Sequence, residues 1–173
     1  MLRSLLALAF CSAAACAFAQ DIPDIMIDWK EVEAPPPPPL RTQGLIPVDV
    51  VGTASNLRFG VDPASITVGK DGVVRYVVVA SSTTGAVNGI YEGIRCNTGQ
   101  VKVYARHNPS SGWVPTREAE WQDIYKVANS RYSLAIARGG ACQEKTPNGS
   151  PAQIAQDLRA PFDRRFERGG NNR

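Results

Sequence analysis

Residues 73–80, Val-Val-Arg-Tyr-Val-Val-Val-Ala, constrain the fold more than any other stretch. In an extended chain, Val74, Tyr76 and Val78 fall on one side and Val73, Arg75, Val77 and Val79 on the other. β-Branched and aromatic residues suit a pleated surface. A strand at the surface of a sheet usually keeps one polar side. Here both sides are mostly apolar, so the strand must be covered on both faces. It reads as a central strand, and the fold is built outward from it.

Its neighbours follow from turn signals. Ser81-Ser82-Thr83-Thr84-Gly85 is turn material, and residues 87–95 are expected as the antiparallel return. Asn97-Thr98-Gly99 makes a second turn. Beyond it Val101, Val103 and Ala105 alternate with Lys102, Tyr104 and Arg106, a half-buried strand facing water on one side. Residues 108–112 form a third turn, and residues 48–51, 57–61 and 66–68 are shorter strand candidates. Residues 117–125 lack a clean period and are read as irregular. Ser130 is the expected N-cap of a helix through Tyr132, Leu134, Ala135, Ile136 and Ala137, with Gly139 as its stop. Short strand-to-strand connections favour a meander. The expected class is therefore α+β: an antiparallel sheet of about four to six strands with a short helix packed on it and one disulfide.

Cysteines and the N-terminus set the compartment. Arg3, an apolar run over residues 5–15 and the small-x-small Ala17-Phe18-Ala19 before Gln20 have the form of a secretory signal, too short to span a bilayer. Residues 1–19 are read as that signal and the mature protein as periplasmic. Ala13-Ala14-Ala15-Cys16 supports a competing reading, in which Cys16 is lipidated and anchors the protein to the outer membrane. The mature chain keeps two cysteines, Cys96 and Cys142. In an oxidising compartment they are expected to pair. The bridge would close a loop of about 47 residues, worth about 4 kcal/mol in the chain-entropy model.

The rest of the chain divides by composition. Residues 20–39 are an acidic and proline-rich linker. Its first part, residues 20–33, carries Asp21, Asp24, Asp28, Glu31 and Glu33 together with Ile25, Met26, Ile27 and Trp29, which favours docking onto the domain. The five prolines at 35–39 fix an extended polyproline II spacer. Residues 40–143 are the folded domain, and residues 144–173 a polar, basic tail with a short helix. Ser150, Pro151 and Gln153 mark that helix's N-cap, first turn and capping-box partner, with Ile154 and Leu158 at i and i+4. Pro161 ends it, and Arg164, Arg165, Arg168 and Arg173 follow. Asn148-Gly149-Ser150 has the form of a glycosylation acceptor.

Catalytic sets are poor. His107 is the only histidine and stands at a strand end without a partner. There is no Gly-rich phosphate loop after a strand and no HExxH, and the ligands for a metal site are lacking. Without Arg3 the chain carries 18 basic against 16 acidic side chains, which gives no footprint for nucleic acid. No later apolar run reaches membrane-spanning length. The densest polar and aromatic stretch is residues 91–96, Tyr-Glu-Gly-Ile-Arg-Cys. With the preceding hairpin centred on Thr83 and Thr84, Arg75 lies opposite Glu92, as a cross-strand ion pair or as part of a polar pocket. Arg75, Tyr91, Glu92 and Arg95, with Trp113 and Trp121 as walls, would floor that pocket and could hold a carboxylate or sugar.

The stretch from Gly72 to His107, with Ser111-Gly112-Trp113-Val114-Pro115 and Glu120-Trp121 behind it, resembles the cryptic neisserial protein family of betaproteobacterial envelope proteins. The resemblance covers residues 46–142, with residues 91–96 its strongest part. It implies an exported domain of unassigned function, and it supplies no catalytic residues. The expected protein is a non-enzymatic interaction or structural domain without cofactor or metal, contacting an envelope component. The alternative is a small-ligand or glycan-binding module using the Arg75/Glu92/Arg95 face.

Overall fold

The computed structural model describes residues 29–50, 56–117, 119–126 and 131–160. The signal segment with Cys16, the helix cap expected at Ser130, and the arginines of the tail lie outside the described residues.

The central strand is where its composition requires. β4, Val73–Ser82, has every residue from 73 to 80 buried and pairs with a strand on each edge. Around it run β1 (Ile46–Val48), β2 (Leu57–Val61), β3 (Thr67–Val68), β5 (Val87–Arg95), β6 (Gln100–Asn108), β7 (Gly112–Pro115) and β8 (Gln122–Asp123). All pairings are antiparallel, in the order β1-β2-β4-β5-β6-β7, with β3 also on β4 and β8 also on β6. The sheet is a meander, with more strands than expected because two of its layers are split. On one side, β2 leaves β4 at Val78 and β3 rejoins it at Arg75. In the gap, the Asp62 amide donates to the Val77 carbonyl at 3.0 Å and the Val77 amide donates to Ser65 Oγ at 2.8 Å. The detour therefore leaves neither group unpaired. On the other side, β7 and β8 cover opposite ends of β6, so the stretch read as irregular contributes a short strand. The edges carry prolines, Pro47 in β1 and Pro115 in β7.

One face of the sheet holds the main core. Val74, Tyr76, Val78, Ile90, Ile94 and Val101 pack beneath α1 (Arg131–Ile136) and α2 (Pro151–Arg159). The first helix ends at Ile136, ahead of the expected glycine stop, and a wider π-type turn, Ala137–Ala141, carries the chain on. A Cβ at Gly140 would sit 2.9 Å from the Leu158 amide nitrogen, so the absent side chain lets α2 approach. Ser150 caps α2 by accepting from the Gln153 amide at 3.2 Å, as the sequence predicts. The Gln153 side chain does not complete the box and donates instead to Asp157. Ile154, Ala155 and Leu158 are buried, and α2 packs on β1. Asn148 is occupied internally, donating to Asp157 Oδ2 at 2.7 Å and to the Gly140 carbonyl. β9 (Cys142–Gln143) and β10 (Thr146–Pro147) form a small hairpin between the helices. The Cys96–Cys142 bridge is formed, tying the end of β5 to this hairpin.

Candidate functional site

The second face of the sheet is covered by the chain's own N-terminal arm, residues 29–40. Val77, Val79, Tyr91 and Ala105 form its apolar floor, with Ala34, Leu40, Leu45, Val87, Tyr104 and Trp113 packed on them. Glycine shapes the trough. Gly60 and Gly89 both pair with Val79, which puts them on one row and one face. A Cβ at Gly89 would stand 2.6 Å from Leu40 Cδ1, and one at Gly60 would stand 2.9 Å from Leu45 Cβ. Leu40 of the arm and Leu45, just ahead of β1, can lie this close only because those side chains are missing. A β-bulge between Tyr91 and Glu92 lets β6 turn both Tyr104 and Ala105 toward the arm.

Polar contacts fasten the arm at several points, beginning with Trp29. Trp29 Nε1 donates to the Asp71 carbonyl at 2.9 Å, and the Arg95 guanidinium lies 3.7 Å from the Trp29 ring centroid. This is stacking distance for a cation on an aromatic face. Glu31 is the second point. Its carboxylate accepts from Lys102 Nζ at 2.9 Å, Tyr104 OH at 2.8 Å and Trp121 Nε1 at 3.0 Å, with Arg75 at 3.8 Å. Trp113 is the third, donating from Nε1 to the Pro38 carbonyl at 2.8 Å. The proline run is thus laid against the sheet.

Asp71 connects the arm to the sheet, and nothing in the sequence singled it out. It sits in the loop 69–72 between β3 and β4, with Gly72 at φ +74. The Asp71 side chain is wholly covered and grips Arg75 at both oxygens, at 2.6 and 3.2 Å. The Val32 amide donates to the same carboxylate, and Arg75 donates to the Val32 carbonyl. Arg75 therefore clamps the arm backbone from below. Burial pushes the Asp71 carboxyl up, but the Arg75 guanidinium and the amides of Val32 and Val73 outweigh it and hold it below its ordinary value. Glu31 behaves alike: burial raises it, and its bonds with Lys102, Tyr104 and Trp121 bring it below. Burial and the Glu31 bond push the Tyr104 phenol up.

The expected Arg75–Glu92 pair does not form. Arg75 stands opposite Gly93, and Glu92 opposite Tyr76. The reason is loop length. The hairpin turns through three residues, Thr83, Thr84 and Gly85, with Gly85 at φ +89, and Ser82 donates from its amide to the Ala86 carbonyl. A glycine in the left-handed region at the third position is the mark of a three-residue hairpin loop. The two-residue centre assumed from sequence shifts the register by one, which moves side chains to the other face. Arg75, Tyr91, Arg95 and Trp113 do share a face, beneath the arm. Glu92 lies on the opposite one, so the Arg75/Glu92/Arg95 set is not a single surface.

Glu92 is fully buried under α1. Tyr76 OH and Ser133 Oγ donate to Oε1 at 2.5 and 2.8 Å, and Tyr132 OH donates to Oε2 at 3.0 Å. Tyr132 is itself stacked on Phe59, with centroids 4.6 Å apart. Burial raises the Glu92 carboxyl above its ordinary value, and the three hydroxyls and the charge of Arg106 only partly offset this. His107 packs edge-on against Trp113 between β5 and β7, half-buried rather than at an exposed edge. Among the described residues no group of three or more His, Cys, Asp or Glu side chains is placed to hold a metal, and no helix is long and apolar enough to cross a membrane.

No curated protein and no solved structure matches the chain. The model of the CNP1-like family matches residues 25–159, which takes in the sheet, the arm on one face and both helices on the other. On that match the chain belongs to the CNP1-like family.

Proposed function

We propose that this is an exported envelope protein that works as a non-catalytic interaction domain, with the arm-bearing face as its contact surface. One observation carries the reading. The cationic and aromatic residues of that face already hold an extended acidic peptide, the chain's own residues 29–40, through side-chain contacts to Trp29 and Glu31 and the clamp on the Val32 backbone. Such a face reads peptide chemistry: a ring for Arg95 to stack on, a carboxylate for Lys102, and a proline run along Trp113. The signal-like N-terminus supports export, and either cleavage before Gln20 or lipidation of Cys16 is consistent with it. The ligand-binding alternative loses Glu92 to the other face, and the arm covers the face that Arg75, Tyr91, Arg95 and Trp113 share.

The test is site-specific photo-cross-linking in cells of the native host. A probe at Val32, half-exposed on the arm, is compared with one at Leu57, exposed on β2. The expected result is a reproducible envelope polypeptide captured from Val32 and not from Leu57, on a chain that fractionates with the periplasm or outer membrane. A chain retained in the cytoplasm, or equal capture from both positions, would overturn the reading.

A further inference from the structure

We propose that the arm is exchangeable, and that the arm-bearing face accepts the arm of a second copy of this chain. The inference holds whether or not the chain is exported.

Three observations lead to it. The arm docks on a surface built without it. Its polar contacts reach Asp71, Arg75, Lys102, Trp113 and Trp121, all distant in sequence, and the described arm residues form no strand or helix. Five prolines lack the N–H needed to join a sheet ladder, so docking and release leave every strand pairing intact. Next, the arm and β1 are separated by a natural hinge. Residues 41–44 are exposed, and Gly44 sits at φ +69 with nothing within 4 Å of a built Cβ. Arg41 reaches Asp62 only at 3.9 Å, and the arginine is more than half exposed. An ion pair of this kind contributes little. Finally, the occupant that fits is in view, and every copy carries it. The bonds that break as an arm leaves its own domain form again on the partner. The balance is set by concentration, because a short tether holds its own arm at an effective concentration of about millimolar. Exchange through a hinge loop is a low-cost route to dimers.

A pair of charge-reversed full-length chains tests this. In Glu31→Lys the altered arm faces an unaltered Lys102, and in Lys102→Glu the unaltered arm faces an altered groove. Neither chain can hold its own arm well. A heterodimer restores both pairings at these two positions, since the Glu31 arm then meets the unaltered Lys102 and the charge-reversed arm meets the charge-reversed groove. The expected result is that each chain alone is monomeric by light scattering and that the mixture forms a one-to-one heterodimer. A mixture that stays monomeric, while both chains keep the Cys96–Cys142 bridge and a cooperative melt, would overturn the proposal. A second measurement covers failure of either variant to fold. A labelled peptide of residues 29–40 is titrated into the wild-type chain and into Trp29→Ala. Saturable binding at least about tenfold tighter to Trp29→Ala is expected, because the resident arm competes less. Absence of binding to both chains overturns the proposal.

Discussion

The two faces of the sheet bury carboxylates by opposite means. On the arm face, Asp71 and Glu31 meet Arg75 and Lys102 as well as neutral donors, and both are held below their ordinary values. On the helix face, Glu92 meets three hydroxyls and, among the described residues, no cation within bonding distance, and it is raised. The same functional group in one sheet thus titrates in opposite directions, according to whether a charge or a dipole answers it. A paired charge is costly to bury and costlier to unpair. A carboxyl among hydroxyls can exist neutral, and its network can stand without a counter-ion.

Breaking the arm-face pair should have the largest effect. Arg75→Met leaves the covered Asp71 carboxylate without its cation, and a loss of about 3–5 kcal/mol is expected in denaturant titration. A loss below about 1 kcal/mol would mean that the two faces do not differ in this way. Closing the trough comes next. In Gly89→Val the new side chain meets Leu40, His107 and Trp113. About 1–3 kcal/mol should be lost, and trypsin should cut faster after Arg41 as the arm lifts. Equal cutting of variant and wild type would show that the arm does not depend on the glycine row.

The subtlest effect is on pH. Asp71 and Glu31, being lowered, contribute stability that is present above their ordinary values of 3.8 and 4.5 and is lost as pH falls through their folded values. Glu92, being raised, contributes stability that is full below its ordinary 4.5 and is lost as pH rises through its folded value. The three groups together place their combined optimum on the acid side of neutrality, between those two losses. Glu92→Gln should remove the decline on the alkaline side and leave the acid limb in place. A wild type whose stability rises steadily from pH 5 to 8, unchanged in Glu92→Gln, would contradict the raised Glu92.

Much of the fold was legible because it rests on local patterns. The two-sided apolar run of β4, the Ser150 cap and the cysteine pair each report a constraint that acts within a few residues or has one solution. The alternation in β6 holds only through Tyr104: the bulge turns Ala105 to the arm face, and the arm covers the side expected to face water. The register of β4 and β5 differs from the sequence expectation by one residue, although its signal is in the sequence. Gly85 is the third residue of Thr83-Thr84-Gly85, and its left-handed φ makes the loop odd in length. The arm site was only partly legible. Trp29 and Glu31 stood out as an acidic and aromatic segment expected to dock, but their partners lie 42 to 90 positions away. Asp71 carries no signal of its own in the sequence. Its role comes from tertiary placement beside Arg75, which no short-range pattern encodes.

The proline-bearing edges carry a last consequence. Sheet proteins at high concentration risk joining rim to rim into fibres, through unpaired backbone groups on their outermost strands. Here β1 is three residues long and β7 four, and each contains a residue that cannot donate to an incoming strand. The molecule is therefore poorly suited to open-ended polymerisation. Crowding should drive it toward closed, countable assemblies, and a concentrated solution should stay clear and free of thioflavin-positive material.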